Sequence, residues 1–192
     1  MSISYQNQAI NSIKFYFRNV LGKELEKIHV QRPKKEKKLP EVFSEEEVAL
    51  LLIQPKNLKH KTILYTIYSA GLRRSEVLNL RLADIDSKRN CINVRGAKGR
   101  KDRITLLSQK NLLLLREYYK VYRPKDYLFE GANGGKYSVT SLRKIFCRAL
   151  KSSGIKKDAY LHTLRHSFAT NLYEFGLDST PWGEAACIMF MS

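Results

Sequence analysis

The chain has 192 residues, 43% of them hydrophobic and 10% aromatic, which is enough to bury one core and excludes a disordered polymer. Lys and Arg number 35 against 18 acidic residues, and the net charge of +17 points to a polyanionic partner, most economically nucleic acid. No apolar run reaches the roughly 18 to 20 residues that span a bilayer, so no membrane segment is expected. The three cysteines lack metal-like spacing, and we expect a cytoplasmic protein with reduced thiols and without a metal or cofactor.

The N-terminal part reads as one helix followed by a basic linker. Apolar residues recur at helical spacing over residues 4–21, and Gly22 stands just past the predicted helix end. The segment 31–40 holds five basic residues, among them Lys34 and Lys35, and two prolines that stiffen it. It is either a solvated hinge or a linker that contacts phosphates.

Helices continue after the linker. Ser44 followed by Glu47 forms a capping box, which predicts a helix to about residue 54. A second helix is predicted over 58–70, up to Gly71, and a short third one from about 74 to 80. Apolar residues recur at helical spacing over three later ranges, which predicts helices at 108–122, 138–150 and 162–175.

The pattern between residues 84 and 107 is different. Residues 91–94 and 103–106 are β-like and are joined by a turn at 96–102 that is rich in Gly, Lys and Arg. The sequence therefore predicts a mainly α fold with a small three-stranded antiparallel β-sheet.

Two arginines stand out at predicted helix starts. His162, Arg165 and His166 follow one another at helical spacing, so one helix face carries all three. Arg73 precedes another helix; taken alone, it pairs with Glu76 or is solvated. Together, Arg73 and Arg165 suggest two guanidinium groups that grip one phosphate, because guanidinium forks match phosphate oxygens and keep their charge.

A third basic cluster lies at the turn of the β-ribbon. Taken singly, each of these charges is uninformative, but a basic two-stranded ribbon can enter a DNA groove. The candidate DNA-binding residues of the ribbon are Arg95, Lys98, Arg100, Lys101 and Arg103.

These three blocks, Gly-Leu-Arg-Arg-Ser-Glu at 71–76, Lys98 in its turn and His-Thr-Leu-Arg-His at 162–166, resemble the tyrosine recombinases or phage-type integrases in order and spacing. The resemblance implies the catalytic-domain fold of these DNA breaking-rejoining enzymes and assigns catalytic roles to Arg73, Lys98, His162 and Arg165. Lys98 would give a proton to the departing 5′ oxygen, with Lys101 as the alternative. Arg74 would be a surface or DNA-backbone residue. No metal is implied, since two arginines supply the charge.

The resemblance also implies a domain plan and an assembly. Residues 1–30 would be the last helix of a helical core-binding domain, 31–40 a linker along double-stranded DNA, and 41–178 the catalytic domain. Residues 179–192 form an unmatched tail, so the domain is expected to be incomplete at the C-terminus. The family's parent enzymes work as tetramers on paired sites.

The family's reaction needs a tyrosine that attacks the phosphate and forms a 3′-phosphotyrosine. After Arg165 the chain holds one tyrosine, Tyr173, about 12 Å further along the helix by the rise of 1.5 Å per residue. We expect Tyr173 to be a core residue, and the nucleophile and the third catalytic His to be missing. The chain is then a recombinase fragment, inactive alone. A second hypothesis is that its unmatched tail is the product of a frameshift, a deletion or a rearrangement. The alternatives are a non-catalytic DNA-binding protein that occupies or regulates recombination sites, and an RNA-binding helical protein.

Overall fold

The computed structural model describes residues 3–22, 41–96, 102–132 and 134–174. The chain divides into two compact units, Met1–Leu39 and Pro40–Ser192. The first unit contains helix α1 (Ile3–Asn19), which agrees with the predicted range, and Gly22 follows it with a φ of +62°. All the side chains of α1 that the structure describes are at least partly exposed. The basic linker, with Lys34 and Lys35, lies outside the described residues.

The second unit begins with two helices whose starts are fixed by side-chain caps. Helix α2 (Glu45–Ile53) opens with the predicted capping box, in which the Ser44 hydroxyl accepts from the Glu47 N–H and the Glu47 carboxylate accepts from the Ser44 N–H. Helix α3 (Leu58–Ser69) is capped by the side chain of Asn57. Both helices pack their apolar faces into one core.

Gly71 ends α3 and turns the chain into the short helix α4 (Arg74–Asn79). The Gly71 N–H donates to the carbonyl of Tyr68 (3.1 Å) and the Leu72 N–H donates to the carbonyl of Ile67 (3.0 Å), a Schellman arrangement. Gly71 has a φ of +56°, the left-handed conformation that glycine adopts without a steric penalty. This turn sets the position of Arg73.

A three-stranded antiparallel sheet follows a 3₁₀ turn (Leu82–Asp84), in the order β1 (Ile85–Asp86), β2 (Cys91–Val94) and β3 (Arg103–Leu106). Strand β2 pairs Cys91 with Leu106 and Val94 with Arg103. The hydroxyl of buried Thr105 donates to the carbonyl of Ala70 (2.8 Å), which joins β3 to the end of α3. The sheet thus stands next to the turn that carries Arg73.

Three longer helices complete the unit: α5 (Gln109–Tyr122), α6 (Val139–Ser153) and α7 (Leu161–Glu174). Their inner faces and those of α2 and α3 share one apolar core, whose most deeply buried side chains include Leu51, Ile63, Leu64, Ile67, Tyr118, Phe129, Phe146 and Leu164. The mainly α class with a small antiparallel sheet is confirmed. No helix within the described ranges is both long and apolar enough to cross a membrane.

Candidate functional site

Arg73 is the N-cap residue of α4, and Glu76 holds it by two bonds. The Arg73 backbone N–H donates to Glu76 Oε2 and Arg73 Nη1 donates to Glu76 Oε1, each at 2.8 Å. The Glu76 carboxylate therefore accepts from one of the backbone N–H groups at the start of this helix. The predicted contact between the two residues is confirmed.

Glu76 gathers two more arginines from distant elements. Arg103 on β3 donates from Nη2 to Glu76 Oε2 at 2.8 Å, and Arg165 Nη1 on α7 lies 3.8 Å from the same oxygen. We call these four residues the Glu76 cluster: Arg73, Glu76, Arg103 and Arg165. Three guanidinium charges against one carboxylate leave a charge of +2.

The carbonyl oxygen of Gly71 is the second point at which the arginines meet. Arg165 Nη1 donates to it, and Arg103 Nη2 approaches it at 3.5 Å. Because the carbonyl belongs to the tight turn after α3, the two guanidinium groups are held by backbone as well as by Glu76. Preorganised donors of this kind stabilise charge on a bound anion without a cost of reordering at the moment of reaction.

Helix α7 is packed so that the Arg165 side chain reaches the carbonyl oxygen of Gly71. Phe168, one turn after Arg165, packs its ring so close to Gly71 that a Cβ there would lie 2.7 Å from Phe168 Cδ1. The Ser167 hydroxyl accepts from the Phe43 N–H (2.8 Å), and the Asn171 amide donates to the Tyr68 hydroxyl (3.2 Å). These buried contacts hold α7 in place and thereby fix the position of Arg165 on its other face.

His162 and His166 lie on the outer face of α7, with their ring centroids 4.4 Å apart and edge to face. Burial lowers the pKa of His162, and the charges of His166, Arg165 and Arg73 lower it further. A neutral His162 can accept a proton at one ring nitrogen and donate a hydrogen bond from the other. His166 is exposed, because the helix turns that position away from the core.

The charge balance of the cluster keeps Glu76 ionised. Burial alone would raise the pKa of Glu76, but hydrogen bonds from Arg103 and Arg73 outweigh it and hold the pKa below its ordinary value. Burial and the neighbouring charges of Arg73 and Arg103 lower the pKa of Arg165. Arg73, Arg103 and Arg165 keep 36%, 22% and 27% of their side-chain surface exposed, so an anion can reach them.

The structure therefore brings together Arg73 and Arg165, and His162 lines the same cavity as Arg73. Arg74 is exposed and lines this cavity too. Three further predicted site residues, Lys98, Arg100 and Lys101, lie outside the described residues.

The two remaining ribbon arginines are placed differently from each other. Arg95 is 65% exposed, and its Nε lies 2.8 Å from the carboxylate of buried Asp84. Arg103, expected to share the basic surface of the ribbon, instead belongs to the Glu76 cluster. Strand alternation indicates that Arg103 shares a face with the buried Thr105, because the two are two residues apart, but it does not identify Glu76 as the partner.

Tyr173 was expected to lie among core positions, but 71% of it is exposed. The position faces outward because the buried side of α7 runs through Leu164, Phe168 and Asn171. Its distance from Arg165 along the helix, about 12 Å for eight residues, still separates it from the cluster.

Known proteins match most of the chain. The sequence profile of the Phage integrase family matches residues 35–180. A putative integrase/recombinase of Sinorhizobium fredii is 40% identical over 173 residues, which are 88% of this chain and 56% of that protein. The tyrosine recombinase XerA of Pyrococcus horikoshii is 34% identical over 180 residues, 92% of this chain and 62% of that protein. The chain thus spans little more than half the length of these relatives.

Solved structures share the fold. A crystal structure of XerA recombinase matches with a TM-score of 0.67 and 27% identity, over 92% of this chain and 64% of that one. XerH site-specific recombinase bound to palindromic difH substrate matches with a TM-score of 0.74 and 22% identity, over 93% of this chain and 56% of that one. The predicted tyrosine-recombinase catalytic-domain fold is confirmed. By family profile, relatives and fold, the chain belongs to the phage integrase family of tyrosine recombinases.

Proposed function

We propose that this chain binds double-stranded DNA and grips one backbone phosphate at the Glu76 cluster, as part of a recombinase that cuts and rejoins DNA at specific sites. The observation that carries this proposal is the convergence of Arg73, Arg103 and Arg165, from three separate elements, on one buried carboxylate. The excess charge of the cluster and its partial exposure suit a phosphate, which guanidinium groups bind through paired hydrogen bonds.

Each residue has a chemical role in this proposal. Arg73 and Arg165 bind the non-bridging oxygens of the phosphate and stabilise the charge that develops at phosphorus, an effect worth a few kcal/mol for each donor. His162 donates a hydrogen bond and assists proton movement. Lys98 protonates the departing 5′ oxygen, for which an ammonium is better suited than a guanidinium because its pKa is lower.

The wider DNA contacts and the assembly belong to the same proposal. The DNA-binding residues would include Arg74, Arg95, Arg100, Lys101 and Arg103, with Lys34 and Lys35 in the linker. Residues 1–30, 31–40 and 41–178 would serve as the last helix of a core-binding domain, a linker and a catalytic domain, and the parent enzyme would act as a tetramer on paired sites. The XerH recombinase that shares the fold was solved bound to its difH substrate, which supports a DNA partner by analogy.

We further propose that the 192-residue chain forms no covalent bond to DNA. The resemblance implies that the nucleophile follows the His-x-x-Arg block, and the tyrosine after Arg165 in this sequence, Tyr173, is about 12 Å from Arg165 along α7. The test incubates the chain with a nicked suicide duplex, which traps a phosphotyrosyl adduct. We expect a shifted non-covalent complex on a native gel and no adduct on a denaturing gel; a trapped adduct would refute this part.

A second function is favoured by the same observation about Tyr173. A chain that occupies recombination sites without cutting would regulate an intact recombinase. Adding the chain to an active recombinase and measuring strand exchange separates the two functions, since inhibition supports regulation and unchanged exchange counts against it.

A further inference from the structure

A second group of cationic side chains lies beside the Glu76 cluster, and these side chains form no ion pair with Glu76. A cavity of about 560 Å³ opens between the start of α4, α6 and the start of α7. Arg73 and His162 line one side of it, and Arg74, Arg143 and Tyr160 line the rest together with Leu72, Ser75 and Leu161. Arg143 comes from α6, an element that contributes nothing to the cluster itself.

The charge of this cavity is unbalanced. Arg74 and Arg143 are exposed, and neither forms an ion pair with any residue that the structure describes. No acidic residue is among the described residues that line it. A neighbouring cavity differs: Arg81 and Arg95 line it together with two buried carboxylates, and Arg95 pairs with one of these, Asp84.

The size and the remaining lining suit a strand better than a single ion. Cavities of roughly 300 to 1,000 Å³ hold whole small molecules, so this one has room for more than the single phosphate held by Arg73 and Arg165. Tyr160 is 60% exposed and its hydroxyl donates to Asp158 at 3.4 Å, which steadies the ring at the cavity wall. Tyrosine is one of the side chains that commonly contact the sugar-phosphate backbone.

We propose that Arg143, together with Arg74, forms a second phosphate subsite, which binds the phosphate next along the strand from the one held by the Glu76 cluster. This inference rests on the proposed function, because the first phosphate sets the position of the second. Arg143 then acts as a binding residue that positions the strand through a contact outside the cluster.

The first test measures duplex binding by fluorescence anisotropy over a range of salt concentrations. Each phosphate contact contributes about 0.9 to the slope of log affinity against log salt. We expect Arg143→Gln to weaken binding and to reduce the slope by about 0.9. Arg148→Gln is the matched control, since Arg148 is an exposed arginine of the same helix that does not line the cavity; it should leave the slope unchanged. Equal effects of the two variants, or no effect of Arg143→Gln, would overturn the subsite.

The second test counts phosphates with short ligands. A thymidine dinucleotide carries one phosphate and a trinucleotide carries two. Titrations followed by NMR should show tighter binding of the trinucleotide to the wild-type chain, and Arg143→Gln should remove that gain without changing dinucleotide binding. Equal affinity of the wild type for both ligands would reject the second subsite.

The failures of the two proposals remain distinguishable. Arg165→Gln belongs to the first phosphate site, so dinucleotide binding that survives this variant contradicts the proposed function and the subsite built on it. If Arg165→Gln abolishes dinucleotide binding, but the wild-type chain binds the trinucleotide no more tightly than the dinucleotide, the second subsite alone is contradicted.

Discussion

Glu76 is the residue on which the site depends, because one buried carboxylate orients three guanidinium groups. Its side chain is 4% exposed and accepts charge-assisted bonds from Arg73 and Arg103. Without the Glu76 carboxylate, the three guanidinium groups would repel one another and move apart. Glu76 therefore acts on the site by positioning.

Replacing Glu76 with Gln should destabilise the fold by about 1.5 to 3 kcal/mol, the range for hydrogen bonds to charged groups. The folded-state pKa of Glu76 lies below the ordinary value of 4.5, so its contribution is fully present above that value and is lost as the pH falls through the folded pKa. Urea unfolding at several pH values should show the wild-type advantage at neutral pH and a decline in acid.

The matched control for this prediction is Glu117→Gln, at an exposed position of α5. It should change the free energy of unfolding by less than about 0.5 kcal/mol, as surface substitutions usually do. A Glu76→Gln variant as stable as the wild type at neutral pH would show that the arginines do not need the carboxylate.

Burial is the main cause of the lowered pKa of His162, and His166 lowers that pKa further, since a neighbouring ring that can carry charge disfavours a second proton. The pKa of His162 is below its ordinary value of 6.5. In the His166→Gln variant, an NMR titration of the ring protons should show a higher pKa for His162. His60, whose lowered pKa has other causes, is the internal reference and should not move. An unchanged His162 pKa would contradict the coupling.

At the scale of elements, the turn after α3 determines the geometry of the site. Gly71 closes α3, its carbonyl accepts from Arg165, and its α-carbon lies against the ring of Phe168. The turn thus joins the end of α3 to the start of α4 and holds both against α7. A substitution there should disturb stability and phosphate binding together.

Gly71→Ala should cost more stability than Gly154→Ala. Both glycines have positive φ values, +56° and +72°, and a side chain in the left-handed region costs roughly 1 to 2 kcal/mol. A Cβ at Gly71 also meets Phe168 at 2.7 Å, whereas a Cβ at Gly154 has no neighbour within 4 Å. We expect an additional cost of about 1 to 3 kcal/mol from this overpacking, measured by urea unfolding. Equal destabilisation by the two variants would show that the Phe168 ring moves aside without a loss in the free energy of unfolding.

Local patterns in the sequence were enough to predict most of the elements. The capping box at Ser44 and the strands 91–94 and 103–106 were placed correctly, because caps, glycines and alternation act over a few residues. Strand β1 (Ile85–Asp86) was not located, since two residues carry no readable period. The end of α6 was predicted at residue 150, but the helix continues to Ser153 and ends before Gly154, whose left-handed φ closes it.

Long-range contacts were harder to predict than elements. Glu76 and Arg73 are three residues apart, and their contact was predicted from that spacing. The partnership of Glu76 with Arg103, 27 residues later, depends on how β3 packs beside the turn at Gly71, which no local pattern contains. The exposure of Tyr173 and the place of Arg143 in the cavity depend on packing between helices in the same way.

At the scale of the whole molecule, the proposed function requires that residues 92 positions apart in the chain, Arg73 and Arg165, bind one and the same phosphate. Both already contact the carboxylate of Glu76, at 2.8 and 3.8 Å. A ligand with a single phosphate tests this requirement without the many other contacts that a duplex makes.

The most direct measurement is an NMR titration of the thymidine dinucleotide into the wild-type chain, Arg73→Gln and Arg165→Gln, with Arg148→Gln as the control for charge. At the Glu76 cluster we expect unchanged affinity in Arg148→Gln and a loss of at least about tenfold, or 1.4 kcal/mol, in each of the other two variants. Wild-type affinity in either Arg73→Gln or Arg165→Gln would show that the two arginines do not share a phosphate.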